Sequence, residues 1–269
     1  MGNFPADYAD KNKELWNAKL NHHLGSSFYD LEGFKAGKTS LRHVELSGVG
    51  EVHGKSLLHL QCHFGQDTLS WARRGARVVG VDLSDKAIET AGQLALELDL
   101  PAQFIACNLY DLPQHLEGQF DWVFTSYGTI GWLPDLDKWA ELVAAYLKPG
   151  GSFYMVDFHP VIWMFDDDFE AFAYSYFNEE PIITEPNGTY ADREADLVQH
   201  QEISWNHSLG ELLGALLGAG LNIAEFKEYP YSTWPCFKEM TQVGEESWVI
   251  SRLGKKVPHM YSICCQKPV

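Results

Sequence analysis

The run Leu57-Leu58-His59-Leu60-Gln61-Cys62-His63-Phe64-Gly65-Gln66-Asp67 constrains this chain more than any other stretch. Leu57 to Leu60 reads as a short buried strand, Gly65 permits a tight turn, and Thr68 to Arg74 continue as a helix until Gly75. A β-branched strand over Arg77 to Val81 then ends in Asp82, seventeen residues after Gly65. Strand, loop, helix and a second strand tipped with a carboxylate form the first half of a doubly wound α/β sheet. In such sheets the ligand lies over the carboxyl end of the first strand, and an acid from the second holds its ribose.

The alternation continues along the chain. Ser84 is placed to cap a helix running to about Asp99, with Pro101 just beyond it. Gln103 to Ala106 and Phe120 to Thr125 predict strands three and four. Asp137 to Leu147 predicts a helix stopped by Lys148-Pro149-Gly150-Gly151, and Ser152 to Asp157 predicts strand five. From residue 158 to 206 the regular order breaks. Polar alternation over Asp196-Leu197-Val198-Gln199-His200-Gln201-Glu202-Ile203 suits antiparallel strands partly open to water, so this stretch reads as an inserted cap. Order resumes at Ser208-Leu209-Gly210-Glu211, a capping box before a helix over Leu212 to Ala219. Leu221 to Glu228 and Val257 to Gln266 supply two further strands. Tyr229 to Lys256 holds no clear crossover helix, so the last strand enters antiparallel. The expected architecture is a Rossmann-like seven-stranded sheet, mostly parallel with one antiparallel strand, in one domain. Residues 1–50 form its helical N-terminal part, 51–157 its nucleoside-binding core, 158–206 the cap and 207–269 the end of the sheet. The first 50 residues carry Tyr8, Trp16, Phe28, Tyr29 and Phe34, and two readings stand for them: a helix pair packed on the sheet, or a lid that excludes water from the site.

Composition narrows the ligand. A net charge of −17 argues against a nucleic-acid partner, whose affinity comes largely from Lys and Arg contacts to phosphate. No basic leader followed by an apolar run and no stretch of about 20 apolar residues is present, so a cytoplasmic location is expected, with no membrane partner. Five cysteines without a C-x-x-C pair suggest neither a disulfide framework nor a structural zinc. Asp166-Asp167-Asp168 with Glu170 is a carboxylate run of the kind hard cations take, and equally a solvated loop; no metal site is assigned to it. A dinucleotide needs G-x-G-x-x-G so that the backbone can approach a pyrophosphate. Gln61, Cys62, His63 and Phe64 would crowd one, and no Walker lysine follows.

A nucleoside without phosphates is compatible with this loop, and S-adenosylmethionine (SAM) is one. From Lys55 to Asp157, and more weakly through Glu228 and the last strand, the chain resembles the class I SAM-dependent methyltransferases of small-molecule type. Their first motif, acidic-x-Gly-x-Gly-x-Gly, is matched by His59-Leu60-Gln61-Cys62-His63-Phe64-Gly65, which keeps only Gly65; His59 stands where the family has an acid. Asn108-Leu109-Tyr110-Asp111-Leu112-Pro113 resembles the third motif, Phe120 to Gly128 the fourth, and Leu147 to Gly151 the lead into strand five. The resemblance implies SAM as cofactor, S-adenosylhomocysteine as product and a small-molecule acceptor. It implies cofactor contacts at Trp16, Gln61, Cys62, Gly65, Asp82, Leu83, Asn108, Leu109 and Ser126. Asp82 would accept from the ribose diol, Leu83 would lie along the adenine, and Asn108, with Asp111 as its rival, would meet the adenine amine. Methyl transfer requires alignment above all, and a base only for an acceptor of high pKa. Tyr127 after strand four and His159 after strand five are the catalytic candidates. Two other readings of the same fold are a protein or RNA methyltransferase and a non-catalytic regulator that binds SAM or S-adenosylhomocysteine.

Overall fold

The computed structural model describes residues 5–185, 188–197 and 200–269. In chain order the elements are α1 (Tyr8–Leu24), α2 (Leu31–Lys35), α3 (His43–Val49), β1 (Ser56–Leu60), α4 (Gln66–Arg73), β2 (Arg77–Asp82), α5 (Asp85–Glu97), β3 (Ala102–Ala106) and β4 (Phe120–Ser126). They continue with α6 (Leu136–Tyr146), β5 (Leu147–Phe158), β6 (Ile182–Thr184), β7 (Glu202–Ser204), α7 (Leu209–Gly218), β8 (Asn222–Tyr229), β9 (Met240–Gly244), β10 (Ser247–Ile250) and β11 (Met260–Gln266). Seven strands form one sheet in the order β3-β2-β1-β4-β5-β11-β8, and β11 runs antiparallel to both of its neighbours. The expected Rossmann-like sheet is therefore present, with its single reversed strand.

Alternating side chains of the central strands feed two layers. Leu58, Leu60, Val123, Phe153 and Met155 pack with α6 and α7 residues such as Trp139, Val143, Leu212 and Leu216. Leu57, Val78, Phe124, Tyr154 and Val156 pack on the other face with Trp71 of α4 and Val44 of α3. The chain steps from β1 to β2 and β3, then returns to the other side of β1 as β4. That reversal opens a crevice at the carboxyl ends of β1 and β4, where ligands of such sheets sit.

Local signals act as the sequence suggests. Ser84 Oγ accepts from Ala87 N at 3.1 Å and Ser208 Oγ from Glu211 N at 3.1 Å, each closing a helix start, while α6 begins one residue before the expected Asp137 and is capped by Asp135, whose Oδ1 accepts from Lys138 N at 3.0 Å. Three differences are tertiary in origin. The stretch Lys148 to Gly151 is not a free turn but the extended beginning of β5, held to the C-terminal segment by Gly150 N to Lys267 O at 3.0 Å and Lys267 N to Gly151 O at 2.9 Å. The segment after β8 carries the hairpin β9 and β10. Among the described residues of the expected antiparallel stretch, Glu202 and Ile203 alone pair, as part of β7 against Ile182–Thr184; Val198 and Gln199 lie outside the described residues. Among the described residues no helix is long and apolar enough to cross a membrane.

Glu45 sits wholly buried on α3, where Oε2 accepts from Arg42 N at 3.2 Å and Oε1 has no partner. Burial, reinforced by the nearby Asp67 charge, pushes its carboxyl up to about 8, so at neutral pH it is a neutral acid. A carboxyl raised from 4.5 stabilises the fold below that value and loses its contribution as pH rises through about 8. Thermal melts of Glu45→Gln are therefore expected to fall less between pH 6 and pH 9 than those of the parent chain. Parallel melting curves would remove this account of Glu45.

Candidate functional site

At the end of β1 the backbone enters the left-handed region at every second residue: φ is 56° at Gln61, 51° at His63 and 81° at Gly65. Only the last must be glycine, because a Cβ there would lie 2.8 Å from the Phe104 ring and 2.9 Å from Ala91 Cβ. A side chain in this conformation costs about 1–2 kcal/mol, so Gln61 and His63 need compensation. Gln61 Nε2 donates to Thr129 O at 2.8 Å, leaving Oε1 buried without a partner. His63 shares a 2.8 Å hydrogen bond with His23 Nδ1 through its Nε2, and its N–H donates to Asp82 Oδ2 at 2.7 Å. Burial depresses both imidazoles, His23 to about 2 and His63 to about 3, so the pair is neutral.

Asp82 closes β2 with both oxygens engaged, Oδ2 by His63 N and Oδ1 by Ser84 N at 2.8 Å. Burial raises its carboxyl to about 6, against the lowering effect of these backbone donors. The residue lines a cavity of about 1130 Å³ over the carboxyl ends of the central strands. That cavity gathers Trp16, Gln61, Cys62, Gly65, Asp82, Leu83, Asn108, Leu109, Ser126 and Tyr127 on its wall. Asn108 Oδ1 also accepts from Tyr110 N at 3.1 Å, and its Nδ2 donates to Tyr8 Oη at 3.3 Å.

The helix α1 roofs this cavity. Its Asn17 and Lys13 reach Asp85 at the start of α5, at 2.8 and 2.9 Å. On its other side Asn12 exchanges two hydrogen bonds with the backbone of Ile203 on β7, at 2.8 and 3.0 Å, and Lys19 meets Glu202 at 3.0 Å. Lys19 lies over the rings of Trp16 and Trp132, and Trp16 presents edges to His63 and Trp132. The hydroxyls of Tyr29 and Tyr190 share a hydrogen bond that ties the segment after α1 to the cap. Of the two readings for the N-terminal part, packing on the sheet alone does not describe this helix, since it bridges core and cap across the cavity.

The catalytic candidates separate. Tyr127, at φ 54°, lines the cavity, but its hydroxyl is buried without a partner and sits in the field of Glu45 and close to Thr233; burial holds it well above the usual phenol range. His159 does not line the cavity. Its Nε2 lies 3.0 Å from Glu228 Oε1 and its Nδ1 accepts from Val161 N at 3.2 Å, so both ring nitrogens are committed to structure. The residue before Phe158 matters more to the site: Asp157 accepts from the backbone of Gly128, Thr129 and Phe158 and fixes the loop after β4. His59 shares a 2.8 Å hydrogen bond with Thr68 Oγ1, has no partner at Nε2, and is depressed by burial to about 3. It is a neutral, buried histidine on the cavity wall, not a substitute for an acid. In the carboxylate run, Lys238 pairs with Asp168 and Arg252 with Glu170 at 2.8 Å; among the described residues no group of metal ligands forms.

Sequence reasoning did not single out Lys19, Ser40, Arg42, Asp67 or Tyr190, all on the cavity wall. A signal existed for Asp67 alone: it stands two residues after the turn glycine, in the first turn of α4.

Comparison with known proteins agrees with this geometry. Residues 57–151 match a methyltransferase-domain family. An uncharacterized methyltransferase of Synechocystis sp. is 36% identical over 48% of this chain and 59% of its own length. A ubiquinone biosynthesis O-methyltransferase of Chromobacterium violaceum is 32% identical over 37% of this chain and 43% of its own. The chain thus spans about half the length of the curated relatives it matches. A geranyl diphosphate C-methyltransferase from Streptomyces coelicolor, solved with Mg2+, geranyl-S-thiolodiphosphate and S-adenosylhomocysteine, superposes with a TM-score of 0.62 at 15% identity, covering 98% of this chain and 100% of that one.

Two substitutions isolate the backbone strain in the loop. Both His63→Gly and His63→Ala lose the bond to His23, but only alanine keeps the left-handed penalty. His63→Gly is expected to be more stable than His63→Ala by about 1 kcal/mol in denaturant unfolding. Equal stabilities would show that the loop does not hold this conformation.

Proposed function

We propose that the chain, whose residues 57–151 match a methyltransferase-domain family and whose sheet has the strand order of the class I SAM-dependent fold, transfers the methyl group of SAM to a small molecule held beneath α1 and the cap. The observation that carries this reading is the roofed cavity of about 1130 Å³, larger than the roughly 300–1000 Å³ typical of a single-ligand pocket and so suited to cofactor and acceptor together. A polymer acceptor needs an open groove, whereas this one is crossed by α1 bonded on both sides. The net charge of −17 also disfavours RNA. The names of the relatives, which concern ubiquinone biosynthesis and geranyl diphosphate, point the same way.

The residues fit the cofactor. The left-handed loop at 61, 63 and 65 keeps the backbone path of a glycine-rich motif with only its last glycine, and Gln61 Oε1 is a buried acceptor awaiting a donor. Asp82 would accept from the ribose diol, Leu83 would lie along the adenine, and the second lone pair of Asn108 Oδ1 would take the adenine amine. Bound SAM supplies an activated sulfonium methyl. The chain's part is alignment: Asp157 fixes Gly128 and Thr129, Trp132 Nε1 donates to Gly128 O at 2.7 Å, and Trp16 and Lys19 form part of the roof. Tyr127 would act here as a wall, because its hydroxyl is turned into a buried pocket with Glu45. No base is assigned, and His159→Gln is expected to leave transfer unchanged.

Incubation with methyl-labelled SAM and separate pools of small metabolites, peptides and RNA tests the reading, with label expected in the small-molecule pool. Label in peptide or RNA would overturn the acceptor class, and binding without transfer to any pool would favour a regulator. Asp82→Asn is expected to weaken S-adenosylhomocysteine binding by about 10–100-fold, the value of hydrogen bonds to a charged acceptor. Since the Asp82 carboxyl titrates near 6, affinity should hold above pH 7 and fall as pH drops through 6. The asparagine variant should lack that inflection, which calorimetry across pH would check.

A further inference from the structure

The amino-acid end of SAM carries an ammonium and a carboxylate, and the residue that would be acidic in the first motif is the neutral, buried His59. The cavity offers another carboxylate. Asp67, in the first turn of α4, lies on the wall and accepts from Ser126 Oγ at 3.2 Å. It is within reach of the Ser40 hydroxyl and the Arg42 charge, and burial raises its pKa, as expected for a carboxylate short of a cation. Arg42 also lies on this wall, over the Trp234 ring, and its ion pair is a loose one with Glu246 at 3.7 Å. Gln61 Oε1 is oriented by the bond from its own Nε2 to Thr129 O and has no donor. Two acceptors, a guanidinium and the Ser40 hydroxyl, which also shares a 2.9 Å hydrogen bond with Ser70 Oγ, therefore line one cavity, the complement of a zwitterion.

We propose that Asp67 and Gln61 Oε1 receive the ammonium of the methionine moiety, and that Arg42 and Ser40 receive its carboxylate. The proposal rests on SAM being the cofactor. It explains how the chain dispenses with the acid of the first motif: the negative charge has moved eight residues along, from position 59 on β1 to position 67 on α4. A buried carboxylate with no cation in direct contact among the described residues, and a guanidinium whose ion pair is long, are satisfied together by one ligand.

The test compares thioether ligands that differ at this end. S-adenosylhomocysteine carries both charges, its decarboxylated form, S-adenosyl-3-thiopropylamine, keeps the ammonium alone, and 5′-methylthioadenosine, in which a methyl replaces the amino-acid chain, has neither. By calorimetry, Asp67→Asn is expected to lose about 10–100-fold in affinity for the first two and to bind 5′-methylthioadenosine as the parent does. Arg42→Gln should weaken S-adenosylhomocysteine only. Unchanged binding of 5′-methylthioadenosine also shows that each variant keeps its nucleoside pocket. The proposal is overturned if Asp67→Asn weakens all three ligands alike, or none. Failure of the parent chain to bind any of them would instead overturn SAM as the cofactor.

Discussion

The Asp82 carboxylate, accepting the backbone N–H of His63 on one side and of Ser84 on the other, joins the two halves on which the site is built. One bond pins the loop after β1 and the other starts α5, so a single side chain sets the spacing between the tips of two neighbouring strands. The loop depends on it twice over. His63 can turn its N–H toward β2 only in the left-handed region, and the 2.7 Å bond offsets part of what that conformation costs. Removing Asp82 from water for this purpose raises its pKa, and the resulting half-satisfied carboxylate is a strong acceptor for a diol.

The second dependence runs through His63 to the roof. Its ring meets His23 at the end of α1 and the edge of Trp16, so the nucleoside loop and the N-terminal helix share one aromatic contact region. From there α1 crosses to β7, where Asn12 completes the backbone pairing of Ile203. Lys19 is almost fully buried, which is tolerable only because Glu202 and two indole faces surround it. Core, roof and cap are therefore coupled by these polar contacts together with small apolar clusters, Leu15 with Ala195 and Leu197 and Leu20 with Phe64 and Ala87.

Much of the fold could be read from local pattern. The strands at Leu57, Arg77 and Phe120, the caps at Ser84 and Ser208, and the reversed last strand all follow from periodicity, side-chain capping and the lack of a crossover helix. The residues that the resemblance put at the cofactor all lie on the cavity wall. The loop was harder. Its residue types pointed away from a glycine-rich turn, yet the backbone follows the left-handed path of one at Gln61 and His63.

By itself the sequence determined the sheet, its switch point and the acid at the tip of β2, because these rest on spacings of a few residues within one element or one βα unit. The tertiary structure decided which polar groups meet. Asn12 and Ile203 are 191 residues apart, His159 and Glu228 are 69 apart, and His23 and His63 are 40 apart. No local pattern encodes such pairs. They turned His159 away from the cavity, laid α1 across it, and brought Asp67 and Arg42 to one wall, because a buried polar group takes its role from the partner that the fold places beside it.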